Sequence, residues 1–169
     1  IVSDPISEDG LKIFYENSID VIDATNYTID ENYEHIPTAN AWVIRSGTTL
    51  DASIINKADK LAVIGRAGVG IDNIDISAAT RKGVVVMNTP DANTISAAEH
   101  TMALLLSLSR NVSYGHQSIL SGNWDRHKFI GSELRAKYLG IIGLGKIGRE
   151  VTQRALGFNM KILGFDPFI

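Results

Sequence analysis

The stretch GIIGLGKIGRE at residues 140–150 carries Gly143, Gly145 and Gly148 in the order G-x-G-x-x-G. Glycines at those intervals let a chain turn tightly out of a strand, lay bare backbone against a pyrophosphate, and bring the following helix close to the strand it left. The start of that helix offers unpaired N–H groups and about half a positive charge to an anion. Asp166 ends the next apolar run, KILGFD, roughly 20 residues further on. A carboxylate there accepts bonds from ribose hydroxyls and repels a 2′-phosphate, which favours NAD over NADP. The same glycines would also serve a plain tight turn. The strand before, the helix after and the acid beyond weigh toward the nucleotide reading.

A second loop, GRAGVG at residues 65–70, sets Gly65, Gly68 and Gly70 after an apolar run. The strand that follows it ends in Asn88 rather than an acid, so it makes a poor ribose site. Its backbone amides suit a smaller anion such as a carboxylate. Arg45, Ser46 and Gly47 of IRSG end a neighbouring run, and Arg66 lies inside the loop itself. Two guanidiniums in one crevice would capture a carboxylate or phosphate in bidentate fashion; two ordinary surface arginines are the alternative. His35, His100, His116 and His127 lack metal-ligand spacing and are read as structural or exposed, so no metal site is expected. Asp72, Asp75 and Glu99 read as helix caps or backbone ligands, Arg126 to Lys128 as a solvated basic turn, and Trp42 and Trp124 as packing residues.

These residues require strands that deliver them to one edge. VSD at 2–4, IDVIDAT, AWVIRS, LAVIGR, VVVMN, YLGIIG and KILGFD read as short strands, alternating with helical patterns such as SEDGLKIFYEN and KIGREVTQRALG. The alternation predicts an α/β fold with doubly wound parallel sheets. DISAATRKG is a compact helix with Asp75 at its start and Gly83 at its exit. The Pro/Asn/Asp-rich NTPDANT segment marks a crossing between domains, with a boundary near Thr89 and domains at 1–89 and 90–169. SAAE after it reads as a capping box for one long helix over residues 95–120, apolar around much of its circumference and therefore buried, by this chain or by a second subunit.

Composition narrows the function classes. A net charge of -3 and a pI near 5.8 lack the basic field of nucleic-acid binders. No run of about 18 apolar residues is present, and the opening IVSDPISEDG has no signal-peptide character. Neither a membrane nor a nucleic acid is therefore an expected partner. The absence of cysteine removes disulfides, thiolate metal sites and a cysteine nucleophile, in keeping with a cytoplasmic location. The chain begins without Met, which is read as the mark of a fragment.

RSGT, GRAGVGIDNIDISAATRKGVVVMNTPDANTISAAEHTMALLLSLSRN, GNWDRHKFIGSEL, GIIGLGKIG and FDP together resemble the D-2-hydroxyacid dehydrogenases, and within them the phosphoglycerate branch. The resemblance implies a flavodoxin-like substrate domain, the first half of a Rossmann domain, and a cleft between them for a phosphorylated 2-hydroxy acid. It places Arg45, Ser46, Gly47, Arg66, Gly68, Val69, Gly70 and Asn93 at the substrate, with Val69 also touching the nicotinamide. Lys146 and Ile147 would lie against the pyrophosphate of NAD. Many relatives carry arginine where this chain has Lys146. A homodimer through the helix at 95–120 is implied. Glyoxylate or hydroxypyruvate reductases share the fold, and an NADH-sensing binding module is a reading from another class. The family's catalytic arginine, acid and histidine are expected downstream of Ile169. The 169 residues alone should therefore reduce no NAD with any 2-hydroxy acid, as followed by NADH absorbance; measurable turnover would refute the fragment reading.

Overall fold

Short runs of β-branched residues pair as parallel strands at the centre of the N-terminal half. β1 (Ala41–Ile44), β2 (Val63–Arg66) and β3 (Val85–Asn88) lie in the order β1-β2-β3, with Ile44 opposite Arg66 and Arg66 opposite Asn88. A computed structural model describes all 169 residues, and the chain divides into two units, Ile1–Ala92 and Asn93–Ile169.

The strands expected at 2–4 and in IDVIDAT shrink to single bridges. Val2 pairs in parallel with Asp23 on one side and Val43 on the other. Its N–H donates to Ile22 O at 2.9 Å and its carbonyl accepts from Ala24 N at 2.8 Å. Pairing ends there because the Asp23 carboxylate accepts from Thr25 N and Thr25 Oγ1, at 2.9 and 2.7 Å, and turns the chain. With these bridges counted, the segment at Asp23, the segment at Val2, β1, β2 and β3 stand side by side. That is the 2-1-3-4-5 order of flavodoxin-like folds.

Helices form where the sequence supplies caps. α1 (Glu8–Glu16) starts at Ser7, whose Oγ accepts from Gly10 N at 3.2 Å. α2 (Ala52–Lys57) starts at Asp51, and α3 (Ile76–Lys82) at Asp75, which accepts from Ala78 N at 2.8 Å. Gly83 ends α3 in the left-handed region at φ 73°. Lys82 Nζ donates to Ile55 O and Asn56 O, at 2.8 and 2.6 Å, satisfying carbonyls at the end of α2. Trp42, Ile44, Leu50, Ile55, Ile64, Ala78 and Ala79 form the buried core of this unit.

The second unit comprises α4 (Thr94–Ser109), α5 (Val112–Leu120), β4 (Tyr138–Ile142), α6 (Lys146–Gly157) and β5 (Lys161–Phe165), with β4 and β5 parallel. Its core is smaller, built from Ala98, Met102, Leu134, Ile141, Val151, Ala155 and Met160. Three expectations are corrected here. The helix over 95–120 is two helices, because Asn111 takes the left-handed region at φ 54°, which asparagine tolerates. Ser132 N donates to Ser109 O at 2.7 Å and so replaces a helical bond at the break. The capping box at Ser96 is absent, since the helix already starts at Thr94: Ser96 Oγ donates to Asn93 O at 3.1 Å and Glu99 reaches Arg154 Nη2 at 3.5 Å. Finally, Trp124, expected to pack, is exposed; within this single chain Ala98 and Met102 of α4 are buried, and Leu104, Leu108, Val112 and Leu120 are exposed. No helix is long and apolar enough to cross a membrane.

Asp75 bears the whole N-terminal cap of the short helix α3. Asp75→Ala should lower stability by about 1 kcal/mol, read as a shifted urea midpoint with an unchanged slope; an unmoved midpoint would show that the cap contributes nothing.

Candidate functional site

In the second unit the glycine turn joins β4 to α6. Gly143 sits at φ 94°, a conformation that L side chains resist, and its N–H donates to Phe165 O at 2.8 Å, holding the turn to the end of β5. A Cβ on Gly148 would collide with the Gly143 carbonyl, so only glycine lets α6 approach β4 this closely. Gly145 is the N-cap of α6 and has open space where a Cβ would be, with no side chain capping the helix start. Bare amides at the start of a 12-residue helix face outward there, the arrangement that suits a phosphate. Lys146 and Ile147, the first two residues of α6, are exposed beside it.

Asp166 closes the turn from the other strand. Its Oδ2 accepts from Leu144 N at 2.7 Å and its Oδ1 from Phe168 N at 2.9 Å. Each oxygen retains a lone pair for a hydroxyl donor. The Phe168 amide first, then the Leu144 amide, hold this carboxyl below the usual carboxylate range, with a smaller contribution from the Arg149 charge against partial desolvation. Arg149 Nε also donates to Leu144 O at 2.8 Å, so both backbone groups of Leu144 are tied.

In the first unit the chemistry-bearing residues gather at the carboxyl edge of the sheet, where doubly wound folds bind ligands. Arg45, Ser46 and Gly47 follow β1 and are exposed. Arg66 ends β2 and folds back over the loop it opens: a Cβ on Gly68 would collide with its Nη1, and a Cβ on Gly70 would lie 3.8 Å from its Nη2. Its Nε is buried without a hydrogen-bond partner. Gly68 N donates to Arg66 O at 2.8 Å, and Val69 O accepts from Asn88 Nδ2 at 2.7 Å. The Asn88 that spoils a ribose site thus braces the loop. α3 begins only at Ile76, so this loop, unlike Gly143–Gly148, does not open directly into a helix. Asn93 belongs to the second unit, exposed at the N-cap of α4, and its side chain makes no cap bond.

Two residues of this edge, Asp4 and Asn73, escaped the sequence reading, and Asn88 is read there only for the acid it replaces. Asp4, Asn73 and Asn88 make side-chain bonds to the loops that carry Arg45 and Val69. Polar residues at or just beyond the carboxyl ends of parallel strands are the available signal, since that edge is where ligands sit. No group of three or more His, Asp or Glu side chains is placed to hold a metal ion.

Residues 1–160 match the profile of the D-isomer specific 2-hydroxyacid dehydrogenase catalytic domain. The chain belongs to this family. It is 51% identical over its whole length to the D-3-phosphoglycerate dehydrogenase of Methanocaldococcus jannaschii and 44% identical to that of Bacillus subtilis. In each case the chain spans 32% of the relative's length. Among solved structures, the TT0316 protein of Thermus thermophilus superposes with a TM-score of 0.88 at 27% identity, over 98% of this chain and 55% of that one. D-lactate dehydrogenase from Aquifex aeolicus, solved with NAD and lactic acid, gives a TM-score of 0.84 at 26% identity, over 98% and 50%.

The depressed Asp166 carboxyl has a defined pH consequence. A carboxylate whose folded pKa lies below its unfolded value of about 3.9 contributes its full stability above that value and loses it as pH falls through the folded pKa. The carboxyl carbon of Asp166 should titrate by NMR with a midpoint below about 3.9; a midpoint at or above it would mean that the Leu144 and Phe168 amides do not hold the charge.

Proposed function

We propose that the protein carrying this chain oxidises 3-phospho-D-glycerate to 3-phosphonooxypyruvate with NAD, a step that leads into serine synthesis. The observation that carries the reading is identity of 43–51% over the entire chain to proteins named D-3-phosphoglycerate dehydrogenase. The Gly143–Gly148 turn supports the cofactor assignment. Gly143, Gly145, Lys146, Ile147 and Gly148 would hold the pyrophosphate, and the carboxylate of Asp166 would accept the ribose hydroxyls and disfavour a 2′-phosphate. When bound, NAD accepts the hydride that leaves C2 as the 2-hydroxyl becomes a ketone and releases its proton. Residues 1–92 would be the substrate-binding part and the remainder the NAD-binding part.

For the substrate, Arg45 with the Ser46 and Gly47 backbone, and Arg66 with Gly68, Val69 and Gly70, would receive its carboxylate and phosphate. Asn93 would order the segment between the two parts. Arg66 is suited to this because its guanidinium is already folded onto the loop and its Nε lacks a partner. A donor preset in this way loses little conformational freedom on binding. The exposed apolar row Leu104, Leu108, Val112 and Leu120 on α4 and α5 supports a homodimer formed through these helices. A cytoplasmic location belongs to the same reading.

Arg66→Ala should lower kcat/KM for 3-phosphoglycerate by about 30-fold, the loss of about 2 kcal/mol of charge-assisted hydrogen bonding. Unphosphorylated hydroxypyruvate, assayed in the reverse direction, should be affected far less. Equal losses on both would favour a glyoxylate or hydroxypyruvate reductase instead.

A further inference from the structure

The buried polar or charged residues of this chain are Ser3, Asp4 and Thr48, at 6%, 8% and 8% exposure, and all three belong to one network. Burying polar groups is unfavourable unless each finds a partner. Here the partners lie around a single loop. Asp4 Oδ2 accepts from Arg45 N at 2.6 Å and from Thr48 N at 3.0 Å. Asn73 Nδ2 donates to Arg45 O at 2.7 Å and to Thr48 O at 2.5 Å. The two ends of the Arg45–Thr48 loop are therefore tied at both their N–H and their C=O groups. Behind them, Ser3 Oγ accepts from Trp42 Nε1 and from Thr48 Oγ1, each at 3.0 Å.

What the network leaves untied is as specific as what it ties. No backbone bond within the chain engages the N–H of Ser46 or Gly47. Gly47 presses so closely on Asp4 Oδ1 that a Cβ could not fit, which seats the loop directly on the carboxylate. Asn73 gives both its donors to carbonyls and leaves its own Oδ1 buried without a partner. A buried orphan acceptor is unfavourable, and one kept at a ligand-binding edge points to a geometry retained for use.

We propose that Asp4 and Asn73 are positioning residues that clamp the Arg45–Thr48 loop by its backbone, so that the Ser46 and Gly47 amides stand open beside the Arg45 guanidinium to receive the substrate's carboxylate or phosphate. The proposal rests on the reading of that loop as a substrate-binding element. The clamp acts through hydrogen bonds, not through charge. Both amides use one oxygen of Asp4, so an asparagine carbonyl in the same place preserves both bonds while removing a negative charge from beneath an anion seat. Asp4→Asn should therefore behave like the parent protein, and Asp4→Ala should not.

The test is steady-state kinetics on the full-length natural protein with 3-phosphoglycerate and NAD, alongside thermal melting. Asp4→Ala and Asn73→Ala should each raise KM for 3-phosphoglycerate by about tenfold, the effect of a misplaced binding group, with KM for NAD within about twofold of the parent. Trp42→Phe removes a bond on the far side of the network and should lower Tm without moving either KM. Should Asp4→Ala fail to fold, Asn73→Ala and Asp4→Asn decide the matter. The clamp is overturned if the alanine variants leave KM for 3-phosphoglycerate unchanged, if both KM values move together, or if Asp4→Asn is as damaging as Asp4→Ala. Arg45→Ala, run in parallel, separates the two levels. A raised KM there with inert Asp4 and Asn73 variants defeats the clamp alone, whereas an unchanged KM defeats the substrate reading of the loop and the clamp with it.

Discussion

A parallel strand can be reached only by carrying the chain back from the far end of its neighbour, so every strand of such a sheet finishes on the same edge. The placement of each candidate ligand-binding group follows from that geometry. It brings Arg45, Arg66 and Asn88 to one edge of the first sheet, and Gly143 and Asp166 to one edge of the second, although long stretches of sequence separate them. The bridge between Val2 and Val43 extends the same logic by a single pair of residues. Through it Asp4 arrives beneath the loop that follows β1, where its carboxylate meets two amides.

The two units use aspartate in parallel ways with different consequences. In each, a carboxylate at the carboxyl edge of a sheet accepts a backbone N–H from a neighbouring loop, Arg45 and Thr48 for Asp4 and Leu144 for Asp166, which also accepts from Phe168 two residues further along its own segment. Asp4 is buried and works entirely within the protein, so it organises a loop. Asp166 is only half-buried and keeps acceptor capacity toward solvent. One residue type thus becomes scaffold or ligand-binding group according to burial. The glycines show a similar division: Gly47 and Gly148 are needed for close approach, and Gly143 for its backbone conformation.

Apolar surface is distributed unevenly. The first unit closes a core around Trp42 and the isoleucines of its strands and helices, whereas the second leaves Ile142, Phe165 and Leu108 at 89%, 64% and 74% exposure. Apolar patches of this kind are typical of interaction surfaces. Local geometry in the second unit is nonetheless well determined, because β4, β5 and α6 are joined through the glycine turn by short backbone bonds and by the Asp166 side chain.

Features that depend on neighbours along the chain are legible in the sequence alone. The caps at Ser7 and Asp75 and the exit at Gly83 are local, because the groups that pair lie within a few residues of one another. The strands β1 to β5 and the strand-turn-helix around Gly143 are legible because each announces itself by its own run of apolar residues or glycines, although its pairing partner lies far along the chain. The break in the helix over 95–120 is not legible in this way: apolar periodicity runs unbroken through Asn111, while the break is stabilised by Ser132, which only folding brings to Ser109. Val2 and Asp23 contribute single bridges rather than strands for a comparable reason, since side-chain bonds to Thr25 compete with the ladder. The roles of Asp4 and Asn73 emerge only on folding. Their partners, Arg45 and Thr48, are remote in sequence and adjacent only once parallel strands have stacked their carboxyl ends on one edge.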